Sequence, residues 1–385
     1  MKYKEYLMED VLEAIIDYRG KTPQKSEMGI PTLSAKTVKN NSINYGDCYF
    51  ISEDEYKRFM VRGFPQVGDI LLTTEAPLGQ VARLDRDDVA LAQRLITLRG
   101  KRGVLDNDYL LYFLQSPHGQ ALLKARETGT TVTGIKQAEF RKIVIELPDY
   151  DVQRKICSIL RSIDDKIVVN RKINDNLQQQ AMALFDKLFP YTINDELPAG
   201  WSIGTVGDIV DIHDSKRIPL SGPQRAKMEK RIYPYYGATS VMDFVDEYIF
   251  DGKYLLLSED GTVADDAGYP ILQYVWGQFW VNNHAHVLTG RCGFTVESLF
   301  LLFKKTPVTS IITGAVQLKI SQAKLRSLKI VVPPQSELDA FDELIQPFFS
   351  QIRQIQEQNK RLTELRDALL PKLMYGEIDV SDIDI

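Results

Sequence analysis

The amino-acid sequence predicts an α+β chain: two α/β domains in tandem, separated by two long helices that form an antiparallel coiled coil. Three observations carry this reading. In residues 151–188, apolar or small residues recur at Ile156, Leu160, Ile163, Ile167, Leu177, Ala181, Leu184 and Leu188, with gaps at Asn170 and Asn174. That 3.5-residue period is the seam of a coiled coil. Shifting by 185 positions returns the seam in phase, at Phe341, Ile345, Phe348, Ile352, Ile355, Asn359, Leu362, Arg366, Leu369 and Leu373. The repeat is also wider than the helix. Thr128-Gly129 matches Thr313-Gly314, Gln137-Ala138 matches Gln322-Ala323, and Arg141, Ile145 and Pro148 match Arg326, Ile330 and Pro333 without a gap. Such a run indicates an internal duplication.

The elements follow in order. Residues 1–148 read as the first domain, with buried strands at 70–72 and 91–98 bounded by Gly68-Asp69 and Gly100. A helix is expected over Asp108–Leu114, a second from Pro117 to Lys124, and a last strand over Arg141–Leu147. The first long helix occupies 149–190, opening at Asp149 or Asp151 and stopping at Phe189-Pro190. The second domain spans 191–335, with strands at 254–257 and 283–288 and a helix at 297–303 that answer those of the first. The second long helix, 336–376, opens on Ser336-Glu337-Leu338-Asp339, and Pro347 should kink it or split off its first turns. Residues 377–385 form an acidic tail. Each helix of about 38 residues is about 57 Å long. Two helices that each follow a domain avoid collision when they run antiparallel. Asn170, Asn174 and Asn359 then fall at the middle of the pair, where buried Asn sets register.

Composition narrows the function classes. The chain has 385 residues and a net charge of −5. The acidity is local: 336–385 holds 5 basic and 11 acidic residues, whereas 1–148 holds 21 and 20. The domains are near neutral, which permits a basic face but no strong global field. Three scattered cysteines, Cys48, Cys157 and Cys292, make no C-x-x-C, which fits a reducing cytoplasm. No stretch approaches 18 apolar residues, so no membrane span is expected.

The run GTTVTGIKQAEFRKIVIELPDYDVQRKICSILRSIDDKI (129–167) and its echo at 314–352 resemble the ends of target-recognition domains entering spacer helices. LMEDVLEAIIDYRGKTP (7–23) and LPAGWSIGTVGDIVDI (197–212) resemble domain openings, and GDILLTTEAPLGQVA (68–82) a central strand and loop. Together they resemble the DNA-specificity (S) subunit of type I restriction-modification enzymes. The resemblance implies two target-recognition domains that each read half of a split site on double-stranded DNA. The helices would fix the spacing and dock two methyltransferase (M) subunits, which restriction (R) subunits join. This chain departs from the family's Pro-Leu and Glu-Gln pattern, having Pro148-Asp149-Tyr150 with Gln153, and Leu338 at the matching place.

Other chemistry is poorly supported. Gly20-Lys21-Thr22 lacks the earlier glycine of a phosphate-binding loop, since position 15 is Ile. Pro148-Asp149 with Asp164-Asp165-Lys166 resembles a nuclease motif, but the second part lies inside the heptad helix. His284 and His286 share a strand face without an apparent third ligand, so no metal is expected. There is no Asn/Asp-Pro-Pro-aromatic or Phe-x-Gly-x-Gly motif, so neither methyl transfer nor a cofactor is expected.

Candidate DNA contacts lie in two stretches. KRIPLSGPQRAKMEKRIYPYY (216–236) supplies Lys216, Arg217, Arg225, Lys227, Arg231 and Tyr235. The first domain supplies Arg19, Lys21, Lys36, Lys39 and Asn40, with Thr73 and Thr74 as short polar groups on the reading face. Lys and Arg neutralise phosphates, and Arg also takes both acceptors of a guanine edge. The expected function is that of a non-catalytic, sequence-specific DNA-binding subunit; the alternative is a tandem-domain scaffold that binds proteins but not DNA.

Overall fold

The computed structural model describes residues 2–18, 20–39, 41–129 and 133–383. The chain forms two compact units, Met1–Val169 with Gln358–Ile385, and Asn170–Glu357. Each unit therefore holds one α/β domain and one half of each long helix.

In the first unit, a four-stranded antiparallel sheet runs in the order Leu12–Asp17, Leu95–Gly100, Ile70–Thr73, Val81–Arg83. A smaller sheet joins Tyr49–Ile51, Ile30–Leu33 and Ala90–Leu91. The helix Asn107–Gln115 starts where the Asp106 carboxylate accepts from the Asp108 and Tyr109 amides. It buries six consecutive residues, Tyr109–Leu114, and so lies inside the unit rather than on its surface. Pro117 opens the next helix, Pro117–Ala125, as expected for a residue with no amide to satisfy. The expected strand at 141–147 is shorter. A helical turn, Gln137–Arg141, precedes the strand Val144–Pro148. That strand pairs antiparallel with Tyr3–Leu7, so the start and end of the domain close on each other.

The second unit repeats the plan with a larger sheet of six strands. Their order is Val210–Ile212, Ala285–Gly290, Phe250–Ser258, Leu272–Val281, Tyr233–Tyr236, Val241–Val245. The helix Val296–Lys305 is the counterpart of Asn107–Gln115. Ser202–Thr205 pairs with Lys329–Val332 as the closing ribbon.

The long helices run Tyr150–Leu188 and Gln335–Met374. The second continues through Pro347 without a break, so the expected splitting of its first turns does not occur. Antiparallel pairing is seen within each unit. In the first, Ile156 and Leu160 share a core with Leu370, Leu373 and Met374, and Arg366 reaches Asp164 at 2.9 Å. In the second, Leu177, Ala181 and Phe185 share a core with Phe341, Ile345 and Phe349. Asn170 and Asn174 are buried, and Asn359 is half-buried. The seam shifts by one residue at single positions and keeps its expected places at Ile352 and Leu373. Phe185, Phe349 and Leu370 are buried where Leu184, Phe348 and Leu369 were expected. The buried face of a helix with 3.6 residues per turn is wider than a strict heptad seam, so a neighbouring position takes the buried place.

Polar anchors tie each domain to its helix halves. Gln153 is buried at the start of the first helix. It donates to the carbonyls of Val104 and Pro148 and accepts from the Asp106 amide. Asp164 accepts from the Tyr112 hydroxyl at 2.8 Å. In the second unit, buried Glu297 meets Lys253, Tyr274 and Arg353. Burial alone raises the pKa of Glu297; the hydrogen bonds from Lys253 and Tyr274 outweigh it and hold the carboxyl below its ordinary range.

Candidate nucleic-acid interface

The basic stretch after residue 214 folds as a braced loop, not a free tail. A turn at Asp214–Lys216 leads into it, and a short helix, Gly222–Ala226, is held by a reciprocal Ser221–Gln224 cap. Arg217 turns inward. Its guanidinium lies 2.7 Å from Glu259 and 3.3 Å from Asp214, and also donates to the Ala285 carbonyl at 2.7 Å. Arg225 pairs with Asp243 at 2.9 Å and lies 5.0 Å over the Tyr235 ring. Tyr235 is itself buried, and its hydroxyl accepts from the Leu220 amide. The Trp280 indole donates to the Ile218 carbonyl at 2.6 Å.

These contacts correct part of the expectation. Arg217, Arg225 and Tyr235 face the protein, because partners far along the chain claim them. Lys216 and Lys227 are exposed and carry no ion pair among the described residues. Lys230, on the same loop, is also exposed. Arg231 is exposed but shares Asp243 with Arg225. The Phe244 amide, followed by Arg225, holds the Asp243 carboxyl below its ordinary range.

In the first domain, Lys21, Lys36 and Lys39 are exposed without an ion pair among the described residues. Lys25 lies 4.8 Å over the Tyr49 ring. Arg19 and Asn40 lie outside the described residues. Thr73 and Thr74 are corrected: both are buried, at 0% and 1% exposure. Thr73 Oγ1 donates to the Pro77 carbonyl and accepts from the Gln80 amide, closing a loop over 74–79. Gly79 sits in the left-handed region (φ 90°), where its amide returns to the Thr73 carbonyl. Thr73 shapes this loop; its exposed tip is Ala76-Pro77.

The histidine pair also differs from expectation, because a third ligand-type group is present. Asp214, Glu259 and His286 bring ligand atoms within 4.8 Å of one another. Protein cations already meet both carboxylates, with Arg217 between them and Lys319 3.1 Å from Glu259. His286 is buried, with Nδ1 2.6 Å from Asp214 and Nε2 donating to the Ile320 carbonyl. A metal would have to displace these partners. Gln322 donates to Asp214 as well. Burial raises the pKa of Asp214, but the hydrogen bond and charge of His286, the Val287 amide and Arg217 together hold it below the ordinary range. The cluster braces the base of the lysine loop against the segment 319–322. His284, half exposed, pairs with Asp260 at 2.7 Å.

The exposed candidate cations therefore sit in loops, turns or, for Lys39, a two-residue strand, and strands and buried ion pairs hold the second-domain loop in place. That division suits phosphate contact, which needs accessible charge on a fixed scaffold.

Comparisons with known proteins agree with this architecture. The family model described as "Type I restriction modification DNA specificity domain" matches twice, over residues 2–179 and 198–366. The type I restriction enzyme MjaIX specificity subunit of Methanocaldococcus jannaschii is 28% identical, covering 92% of this chain and 88% of the relative. The EcoprrI specificity subunit of Escherichia coli is 24% identical, covering 89% and 91%. The crystal structure of a type I restriction-modification S subunit from M. genitalium is similar in fold, with a TM-score of 0.52 at 17% identity. That match covers 97% of this chain and 96% of the other. With both copies of its duplicated unit matched, the chain belongs to the type I restriction-modification DNA-specificity family.

Proposed function

We propose that this chain is the sequence-reading subunit of a type I restriction-modification complex. Each α/β domain reads one half of a bipartite, asymmetric double-stranded DNA site, and the helix halves dock two methyltransferase subunits, which restriction subunits join. The single observation carrying this is the duplicated unit. A symmetric dimer reads a palindrome; two unlike copies of one domain in one chain suit an asymmetric site. The copies differ where reading would occur: the second has the braced loop 214–236, the first the loops bearing Lys21, Lys36 and Lys39. Lys21, Lys36, Lys39, Lys216, Lys227 and Arg231 contact phosphates in this reading, while Arg217, Arg225 and Tyr235 position the loop. Asn170, Asn174 and Asn359 set the helix register. The near-neutral domains give modest DNA affinity alone, and the methyltransferase partners add phosphate contacts. The chain performs no catalysis and binds no cofactor.

Selection from randomised DNA, with the methyltransferase partner present, tests the reading. A two-part consensus with a fixed gap is expected. A protein-binding scaffold that never reads DNA would return no consensus.

A further inference from the structure

An open groove of 680 Å³ lies within the second unit, lined by Phe189, Tyr191, Ile193, Trp201, Leu302 and Leu338 among others. The duplication shows what such a groove accepts. Its wall Leu338 corresponds to Gln153 of the first unit by the 185-residue offset, and Leu302, on the helix that answers Asn107–Gln115, corresponds to Phe113. There the chain's own tail crosses the equivalent space. The Tyr375 ring packs against His118 at 5.6 Å, and His118 in turn meets the Phe113 ring at 6.0 Å. Ile378 packs on the core, Val380 is wholly buried in it, and the Ser381 carbonyl accepts from Lys155, two residues beyond Gln153. The tail thus carries aliphatic side chains between the carboxylates Glu377, Asp379 and Asp382.

In the second unit the matching segment, 189–194, lines the groove instead. The residue matching Val380 is Asp195, which is exposed and accepts from the amide and hydroxyl of Thr192. Ile193 and Tyr191 remain 43% and 36% exposed at the groove. Exposed Lys329 lines the same groove and carries no ion pair among the described residues; its counterpart in the first unit is Val144. An apolar floor with an unpaired lysine suits an aliphatic side chain flanked by carboxylates.

We propose that this groove docks an extended segment of a partner protein in which an aliphatic residue lies between acidic ones, imitating the tail in the first unit. The inference does not depend on DNA reading. It is tested with a fluorescently labelled peptide, YGEIDVSDI, titrated into the full chain. Saturable binding is expected, weakened about tenfold by Ile193→Asp and several-fold, with lost salt dependence, by Lys329→Glu. Both positions are exposed and belong only to the second groove, so they separate it from displacement of the resident tail. No binding up to about 1 mM, or binding that neither variant changes, would overturn the proposal. A self-association of the chain that the free peptide disperses would also overturn it, by making a second copy's tail the occupant.

Discussion

Replacing Arg217 with Met separates a bracing role from a DNA-contact role. The guanidinium touches Glu259, Asp214 and the Ala285 carbonyl, and its side chain is only 12% exposed. Met keeps much of the side-chain volume and removes the charge. Two carboxylates that are 3% and 12% exposed then lose a partner, although His286 and Lys319 remain. Breaking a buried pair from one side costs about 3–5 kcal/mol; the remaining partners set the expectation at the lower end. Urea unfolding followed by Trp fluorescence measures this loss. Salt-dependent DNA binding by the assembled enzyme supplies the contrast. The slope of log affinity against log salt should stay unchanged for folded Arg217→Met, and fall by about 0.9 for each lysine removed in Lys216→Ala or Lys227→Ala. Unaltered stability together with a reduced slope for Arg217→Met would refute the assignment of this arginine to the scaffold.

Three further outcomes follow from buried groups. Phe341→Ala, which removes a wholly buried ring packed on Phe185 and Phe189, should cost about 3–5 kcal/mol in denaturant unfolding. Asn174 is buried and its Oδ1 has no hydrogen-bond partner among the described residues, so Asn174→Leu should raise the thermal midpoint, with a gain of about 1–2 kcal/mol; a lower midpoint would show that the amide is needed. Asp214 has a depressed folded pKa, so its contribution is complete above the unfolded value of about 3.9 and is lost as pH falls through the folded value. The acid limb of a stability–pH profile should therefore be shallower in Asp214→Asn than in the parent chain.

The frame was legible in the sequence because its signals are periodic. The seam at Ile156, Leu160 and Ile163 and its repeat at Phe341 and Ile345 are buried as the spacing requires. The shift to Phe185, Phe349 and Leu370 is not legible in a strict heptad, because a helix buries a wider face than two positions in seven. The candidate site was less legible. Whether a basic residue is free depends on acids that the fold brings near: Asp243 lies 18 positions from Arg225, and Glu259 lies 42 from Arg217. No local pattern reports such pairing. Thr73 and Thr74 carried a usable signal, since they directly follow the buried run Ile70-Leu71-Leu72. Their hydroxyls suggested an open face, whereas Thr73 spends its hydroxyl closing a turn.

In the proposed function, two unlike domains of this chain choose the DNA sequence for a partner methyltransferase. Methylome sequencing of cells with and without the gene addresses it most directly. An asymmetric two-part motif should be methylated in the parent and lose methylation when the gene is deleted; exchanging residues 191–335 for those of a relative should change one half of the motif and leave the other. A methylome unaltered by deletion would contradict the account.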